Sequence, residues 1–212
     1  MKEIFEKIIK ENAWSRGRTE SPCGPGSSIK YTENLRLHFP LLVEKFNIKS
    51  ILDAPCGDFN WMKLVVPTLD VDYTGADIVS ALIENNIDLY KTDKIKFEVL
   101  DITKDKLPNA DLMVCRDCLF HLSNDSIKLF LDNFLTSDIK YLLTTTHYNN
   151  ADFKNTDIKD GNFRLLDLFS APFDFDKDVL YQIDDWIAGY KPRGMILLSR
   201  EQIKRRQSLN TG

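Results

Sequence analysis

Ser50-Ile-Leu-Asp-Ala-Pro-Cys-Gly-Asp-Phe-Asn-Trp61 joins a short apolar strand, Ser50 to Ala54, to a loop that opens on an acid and turns at a single glycine. A brief apolar run stopped by Pro and Gly reads as a buried strand. The same unit recurs along the chain. Tyr73 to Ala76 reads as a second strand and ends at Asp77. Ile95 to Leu100 is a third, ending at Asp101, and Asp111 to Arg116 a fourth, ending at Asp117. The steps from Asp53 to Asp77 and from Asp77 to Asp101 are both 24 residues. A solvated surface explains one such aspartate, but explains four at the same structural position poorly.

Helical spacing fills the gaps. Trp61 to about Leu69 is partly helical, and Val79 to Lys91 carries Leu82, Ile83, Ile87 and Leu89. Ser123 is placed to cap a helix running to about Leu135. Tyr141 to Thr146 is a fifth strand. Alternation of this kind predicts a parallel sheet with helices on both faces. Val179 to Ile183 and Met195 to Ser199 would close the edge as an antiparallel hairpin. The expected fold is α/β and doubly wound: a mostly parallel seven-stranded sheet with an antiparallel last strand, in one domain over residues 1–212.

Two segments stand outside this rhythm. Residues 1–30 form an N-terminal helix, ending near Trp14, and a lid-like loop. Residues 14–28 hold three Gly, two Pro and four Ser, too many breakers for a regular element, and long loops in compact domains are commonly lids or binding segments. Thr32 to about Phe46 is again helical, with Pro40 expected to bend it. Residues 149–178 are polar, aromatic and irregular. They are expected to form an acceptor-binding insert, with Phe163, Phe169 and Phe173 as its wall.

Composition narrows the function classes. The chain has 212 residues, 43% hydrophobic and 28% charged, with a net charge of -4. That balance argues against nucleic acid as partner. Lys204, Arg205 and Arg206 form the one dense basic cluster, read as a solvated tail. No stretch approaches a bilayer-spanning length, and Met1 to Lys10 lacks the apolar run of a signal peptide, so a cytoplasmic protein without a membrane span is expected. Cys23, Cys56, Cys115 and Cys118 do not read as a disulfide framework. The Cys115–Cys118 spacing ends a strand instead of opening a helix, which argues against redox chemistry, and no metal site is expected. The loop after the first strand has one glycine, so it lacks the G-x-G-x-x-G of a dinucleotide site, and no phosphate-binding G-x-x-x-x-G-K-[ST] occurs.

Ile51-Leu-Asp-Ala-Pro-Cys-Gly-Asp-Phe59 resembles motif I of class I methyltransferases dependent on S-adenosylmethionine (SAM). Tyr73-Thr-Gly-Ala-Asp-Ile78 resembles their second motif, Leu100-Asp101-Ile102 their adenine-contacting segment, and Asp111 to Ser123 their fourth motif and the loop beyond. The resemblance covers roughly residues 30 to 150, with Pro55 and Phe59 standing where the family commonly has glycine. It implies a Rossmann-like sheet and a transferase that uses SAM and releases S-adenosylhomocysteine (SAH). A narrower resemblance rests on Ala-Pro-Cys-Gly-Asp-Phe-Asn-Trp, on Ser-Pro-Cys-Gly-Pro-Gly-Ser-Ser and on the segment from Asp157 to Phe173. It is to small methyltransferases of bacterial capsule and surface-polysaccharide clusters, including those thought to O-methylate a phosphoramidate.

SAM carries an ammonium and a sulfonium and no phosphate, which suits a row of acids. The expected cofactor residues are Trp14, Asp53, Ala54, Cys56, Gly57, Trp61, Asp77, Ile78, Asp101, Ile102, Arg116 and Asp117, with Asp77 towards the ribose hydroxyls and Asp101 towards the adenine amino group. Gly57 lets the backbone come close. Of three histidines, His38 reads as structural. His121 is the first general-base candidate and His147 the second. An anionic acceptor would want arginines in fork geometry, so Arg16, Arg18 and Arg164 join His121 and Tyr148 as expected acceptor contacts. The favoured acceptor is a phosphoramidate of capsule biosynthesis. A sugar or sugar-nucleotide hydroxyl is the alternative, and an arginine-poor pocket would favour it. A catalytically silent SAM-binding module and an RNA methyltransferase are the rivals. The oligomeric state stays open.

Overall fold

The computed structural model describes residues 1–209, and side chains as far as residue 206. Seven strands form one sheet: β1 (Ser50–Asp53), β2 (Asp72–Asp77), β3 (Ile95–Val99), β4 (Leu112–Cys115), β5 (Tyr141–His147), β6 (Tyr181–Asp184) and β7 (Arg193–Ser199). Their spatial order is β3-β2-β1-β4-β5-β7-β6. β1 to β5 run parallel, while β7 lies antiparallel to both β5 and β6. The expected doubly wound sheet is therefore present, with β7 inserted between β5 and the edge strand β6. Chain order reverses between β1 and β4, the place where open parallel sheets hold ligands.

The strands bury alternate residues in opposite layers, as a two-residue period requires. Leu52, Met113 and Leu142 face one core, with Ile127, Phe130 and Phe134 of helix α4 (Asn124–Thr136) and Ile203 of α5 (Arg200–Leu209). Ile51, Leu112, Val114 and Leu143 face the other. There they meet Leu35, Phe39, Leu42 and Val43 of α2 (Glu33–Lys45) and Ile83 of α3 (Ser80–Tyr90). Ser123 caps α4 as expected, its hydroxyl accepting from the Ser126 amide at 3.2 Å. The first helix, α1 (Lys2–Lys10), ends four residues before Trp14.

Pro40 lies inside α2. The partly helical stretch Trp61 to Leu69 forms two short 3-10 turns, Met62–Leu64 and Val66–Thr68, with Pro67 starting the second. One local expectation needs correction: the basic cluster Lys204 to Arg206 is not a free tail. It rides on α5, where Ile203 is fully buried and Arg206 donates to Asp174 Oδ2 at 3.0 Å. One buried anchor is enough to dock this helix, and one apolar residue is too weak a pattern to read in advance.

The insert 149–178 has no regular element, yet it belongs to the core. Leu166, Leu168, Phe173 and Phe175 are buried in the α4 layer, so Phe173 packs the domain instead of lining an acceptor wall. Arg164 holds the segment down. Its guanidinium donates to Asn124 Oδ1 at 2.7 Å, to the Thr156 carbonyl at 2.6 Å and to the Leu122 carbonyl at 2.8 Å. Removing a buried, multiply bonded cation leaves those acceptors unpaired. Arg164→Ala should lower stability by about 3 kcal/mol in urea unfolding. Arg164→Lys should rescue little, because an ammonium cannot span three acceptors in a fork.

Candidate cofactor and acceptor site

The first four strands deliver their acids to one place. Asp53, Asp77, Asp101 and Asp117 all line a single cavity of ≈ 950 Å³, its open mouth included. Cys56, Gly57, Trp61, Ile78, Ile102 and Arg116 share the wall, with Trp14 and His121. Of the expected cofactor residues only Ala54 is not on the wall. It is fully buried, and its amide donates to the Val114 carbonyl at 2.9 Å.

Two of the acids are held away from their ordinary ionisation. Asp53 is buried beside the Tyr73 hydroxyl, which donates to Oδ2 at 2.6 Å. Burial pushes its carboxyl up to about 7, against the pull of Tyr73 and Arg116. Burial likewise pushes Asp77 up to about 6, although the Val79 amide donates to Oδ1 at 2.9 Å and the Gly57 amide to Oδ2 at 3.1 Å. Asp101 differs. Burial raises it, but the Thr103 hydroxyl and amide at 2.6 and 3.0 Å, with Lys104 at 3.3 Å, outweigh burial and leave it below its usual value.

The glycine of the first loop is explained by two neighbours. Gly57 has φ +57. A Cβ there would come within 2.8 Å of Cys23 Sγ. Its carbonyl accepts from Asn86 Nδ2 at 2.8 Å. Asn86, fully buried on α3, thus fixes the loop that borders the cavity, and no sequence pattern marked it.

Arg116 and Asp117 end β4 in a buried charge cluster. Arg116 makes a two-pronged bond to Asp185, Nε to Oδ2 at 2.8 Å and Nη2 to Oδ1 at 2.9 Å, and also donates to the Gly26 carbonyl at 2.8 Å. Arg193 Nη2 donates to Asp117 Oδ2 at 2.8 Å, and its Nε to the Asp185 carbonyl at 2.9 Å. Burial opposes the charge on Arg116, but Asp117 and Asp185 more than offset it and raise its pKa. Burial also raises Asp117, and Arg116 and Arg193 bring it below its usual value. Two cations thus meet two anions, and no guanidinium is left over. Arg193, Asp185 and Tyr31, whose ring lies 4.8 Å from the Arg193 guanidinium, escaped sequence reasoning because they come from distant segments.

His121 lines the cavity beside Asp117. Its Nδ1 lies 2.8 Å from the Asn162 carbonyl. A carbonyl only accepts, so Nδ1 carries the proton and Nε2 keeps its lone pair. Burial lowers the His121 pKa, with Asn162 and Asp117 opposing and Arg193 reinforcing. Trp14 stacks on the ring at 4.7 Å, 25° from parallel.

The remaining expected acceptor residues stand off the cavity wall. His147 is buried against Phe120 at 5.3 Å, with Nδ1 at 3.2 and 3.3 Å from the Leu166 amide and carbonyl. Tyr148 lies over Gly194 and reaches Asp184 Oδ1 at 3.4 Å. Arg16 and Arg18 are exposed, and Arg164 is committed to the insert. In the other direction, Met1 and, from α1, Phe5 and Ile9, with Cys23, Ser27 and Cys118, line the cavity without having been anticipated.

No protein-family model matches the sequence, and no curated protein matches it either. Solved structures are similar in fold. Magnesium protoporphyrin IX methyltransferase (ChlM) from Synechocystis, with bound SAH, has a TM-score of 0.58 at 11% identity over 80% of this chain and 84% of its own. PigF with SAH has a TM-score of 0.58 at 13% identity, over 80% of this chain and 56% of its own. Human N-acetylserotonin methyltransferase in complex with SAM has a TM-score of 0.56 at 16% identity, over 79% and 50%. The chain thus spans about half the length of the latter two. It has the Rossmann-like fold of these methyltransferases.

Because Asp53 ionises near pH 7 when folded and has an ordinary value of 3.8, its neutral form is the one the fold tolerates. Its contribution is favourable below pH 3.8 and is lost as pH rises through about 7. Asp53→Asn should therefore flatten the fall in stability of the ligand-free protein across that window, measured by chemical denaturation at stepped pH. An unchanged slope would contradict the burial argument.

Proposed function

We propose that the chain is a SAM-dependent O-methyltransferase whose acceptor offers a neutral hydroxyl. The observation that carries this reading is the pair of buried carboxyls, Asp53 and Asp77, held up to about 7 and 6 at the strand ends of a methyltransferase-type sheet. Burial raises both, outweighing Arg116 at Asp53 and meeting no cation at Asp77, which is the setting a positively charged ligand relieves. The residues present fit SAM on those grounds. Asp53 and Asp77 face a cation or hydroxyls, Gly57 leaves the backbone open, and Ile78, Leu100 and Ile102 supply an apolar surface. Bound SAM supplies an electrophilic methyl group on a cationic sulfur.

The chain's own part is placement and proton removal. Trp14, Trp61 and the apolar wall keep water away from the reacting end. Asp117, fixed by the Thr145 hydroxyl at its amide and by Arg193 at its carboxylate, flanks His121. His121 Nε2 takes the hydroxyl proton as the acceptor oxygen is methylated.

A phosphoramidate, the acceptor favoured from sequence, is less well served. An anion would meet Asp53, Asp77 and Asp117, while Arg116 and Arg193 are already neutralised and Arg16, Arg18 and Arg164 stand elsewhere. The arginine-poor wall supports the alternative, a sugar-type hydroxyl. A place in surface-polysaccharide synthesis is supported by the short motif resemblance alone.

Labelled methyl transfer from SAM, read by mass spectrometry over sugars, sugar nucleotides and phosphoramidates, tests the reading. Label on a sugar hydroxyl is expected, and label on a phosphoramidate oxygen would overturn the acceptor assignment. His121→Ala should cut kcat by roughly 10²- to 10⁴-fold and leave SAH affinity nearly unchanged. Since the neutral imidazole is the active form and burial lowers its pKa from 6.5, kcat should hold at pH 6.5 and fall only at lower pH.

A further inference from the structure

Helix α1 is amphipathic, yet none of its residues is buried. Met1, Phe5 and Ile9, one turn apart, face the cavity. A nine-residue helix is well short of the roughly 12–15 residues that hold helical form alone in water, so it depends on what it packs against. Met1 and Phe5 rest against the α4-side core, and the Phe5 ring lies 6.0 Å from that of Trp14. Lys2 Nζ donates to Ser80 Oγ at 2.8 Å at the start of α3. Ile4 and Ile8 close on Gly161, which has φ +87 and no room for a Cβ, with Ile8 Cδ1 at 3.3 Å from that position. Gly161 is itself next to the base. Its amide donates to the His121 carbonyl at 2.8 Å, and the neighbouring Asn162 carbonyl holds His121 Nδ1.

We propose that α1 is a removable roof over the cofactor cavity whose docking is completed by the bound cofactor, and that docked α1 steadies the Gly161–His121 contact, so that the base is set only after the cofactor is in place. This rests on the SAM reading above. A ligand under Met1, Phe5 and Ile9 adds apolar contact on the cavity side of the helix, and by linkage whatever stabilises the docked helix tightens the ligand. The acceptor then binds second.

Hydrogen exchange read by mass spectrometry, with SAH as the probe, tests this in the full chain. In the unmodified protein SAH should slow exchange both along residues 2–10 and at Gly161. Phe5→Ala should weaken SAH about tenfold by calorimetry and abolish the slowing at both places. Ile4→Ser, a change at a half-exposed position that leaves the cavity wall intact, should spare most SAH affinity but uncouple Gly161 from α1. Slowing at α1 without slowing at Gly161 in the unmodified protein overturns the link to His121. Unchanged exchange at α1 on SAH binding, with Phe5→Ala binding normally, overturns the roof. No SAH binding by the unmodified protein overturns the cofactor reading itself and this proposal with it.

Discussion

The two-pronged bond between Arg116 and Asp185 ties together parts of the chain that share no local sequence logic. Arg116 belongs to the end of β4, Asp185 to the end of β6, and Gly26, which accepts from the same guanidinium, to the N-terminal loop. Asp185 is fully buried, and Arg116 nearly so. Leaving one such charge without its partner costs about 3–5 kcal/mol, so the pair acts as a constraint on the whole upper rim. With Arg193 and Asp117 it sets where the antiparallel hairpin, the N-terminal loop and the cavity floor meet. Gly26 has no room for a Cβ because Asp117 Oδ2 and Arg193 already occupy that space.

The charge balance of that rim shapes the chemistry. Four ions, three buried and Asp117 partly open to the cavity, cancel, so the cluster lends rigidity and little net field. What remains at the cavity is acidic, and it comes from the ends of β1, β2 and β3. A site of this kind discriminates by charge before it discriminates by shape, and it does so without an arginine fork. In the proposed reaction the base is His121, whose tautomer is set by one carbonyl of the insert.

Sequence legibility followed the range of the interactions involved. The strands, the antiparallel hairpin and the acids at the strand ends were readable because each is carried by a short apolar run and the residue that follows it. Asp53, Asp77, Asp101 and Asp117 reached one cavity as expected, with His121 beside them. Partners separated by long stretches were not readable. Asn86 holds Gly57 across 29 residues, and Arg193 holds Asp117 across 76. Arg164 has the same side chain whether it clamps an anion or a loop, and only packing against Leu122 and Thr156 shows which. The aromatic insert misled for a related reason. Phe173 and Phe163 look alike in sequence, while one is core and the other is 60% exposed.

The carboxyl pair has a consequence for the proposed turnover. Asp53 and Asp77 change ionisation between about pH 6 and 7, so the cavity's preference for a cationic occupant over a neutral one of the same shape strengthens as pH rises. Donor and spent donor differ by that one charge. At alkaline pH the two carboxylates favour exchange of spent for fresh donor, and at acidic pH they lose the means to tell them apart. Under the proposed reading, product inhibition therefore follows from the burial of two side chains, and it deepens as the medium becomes more acid.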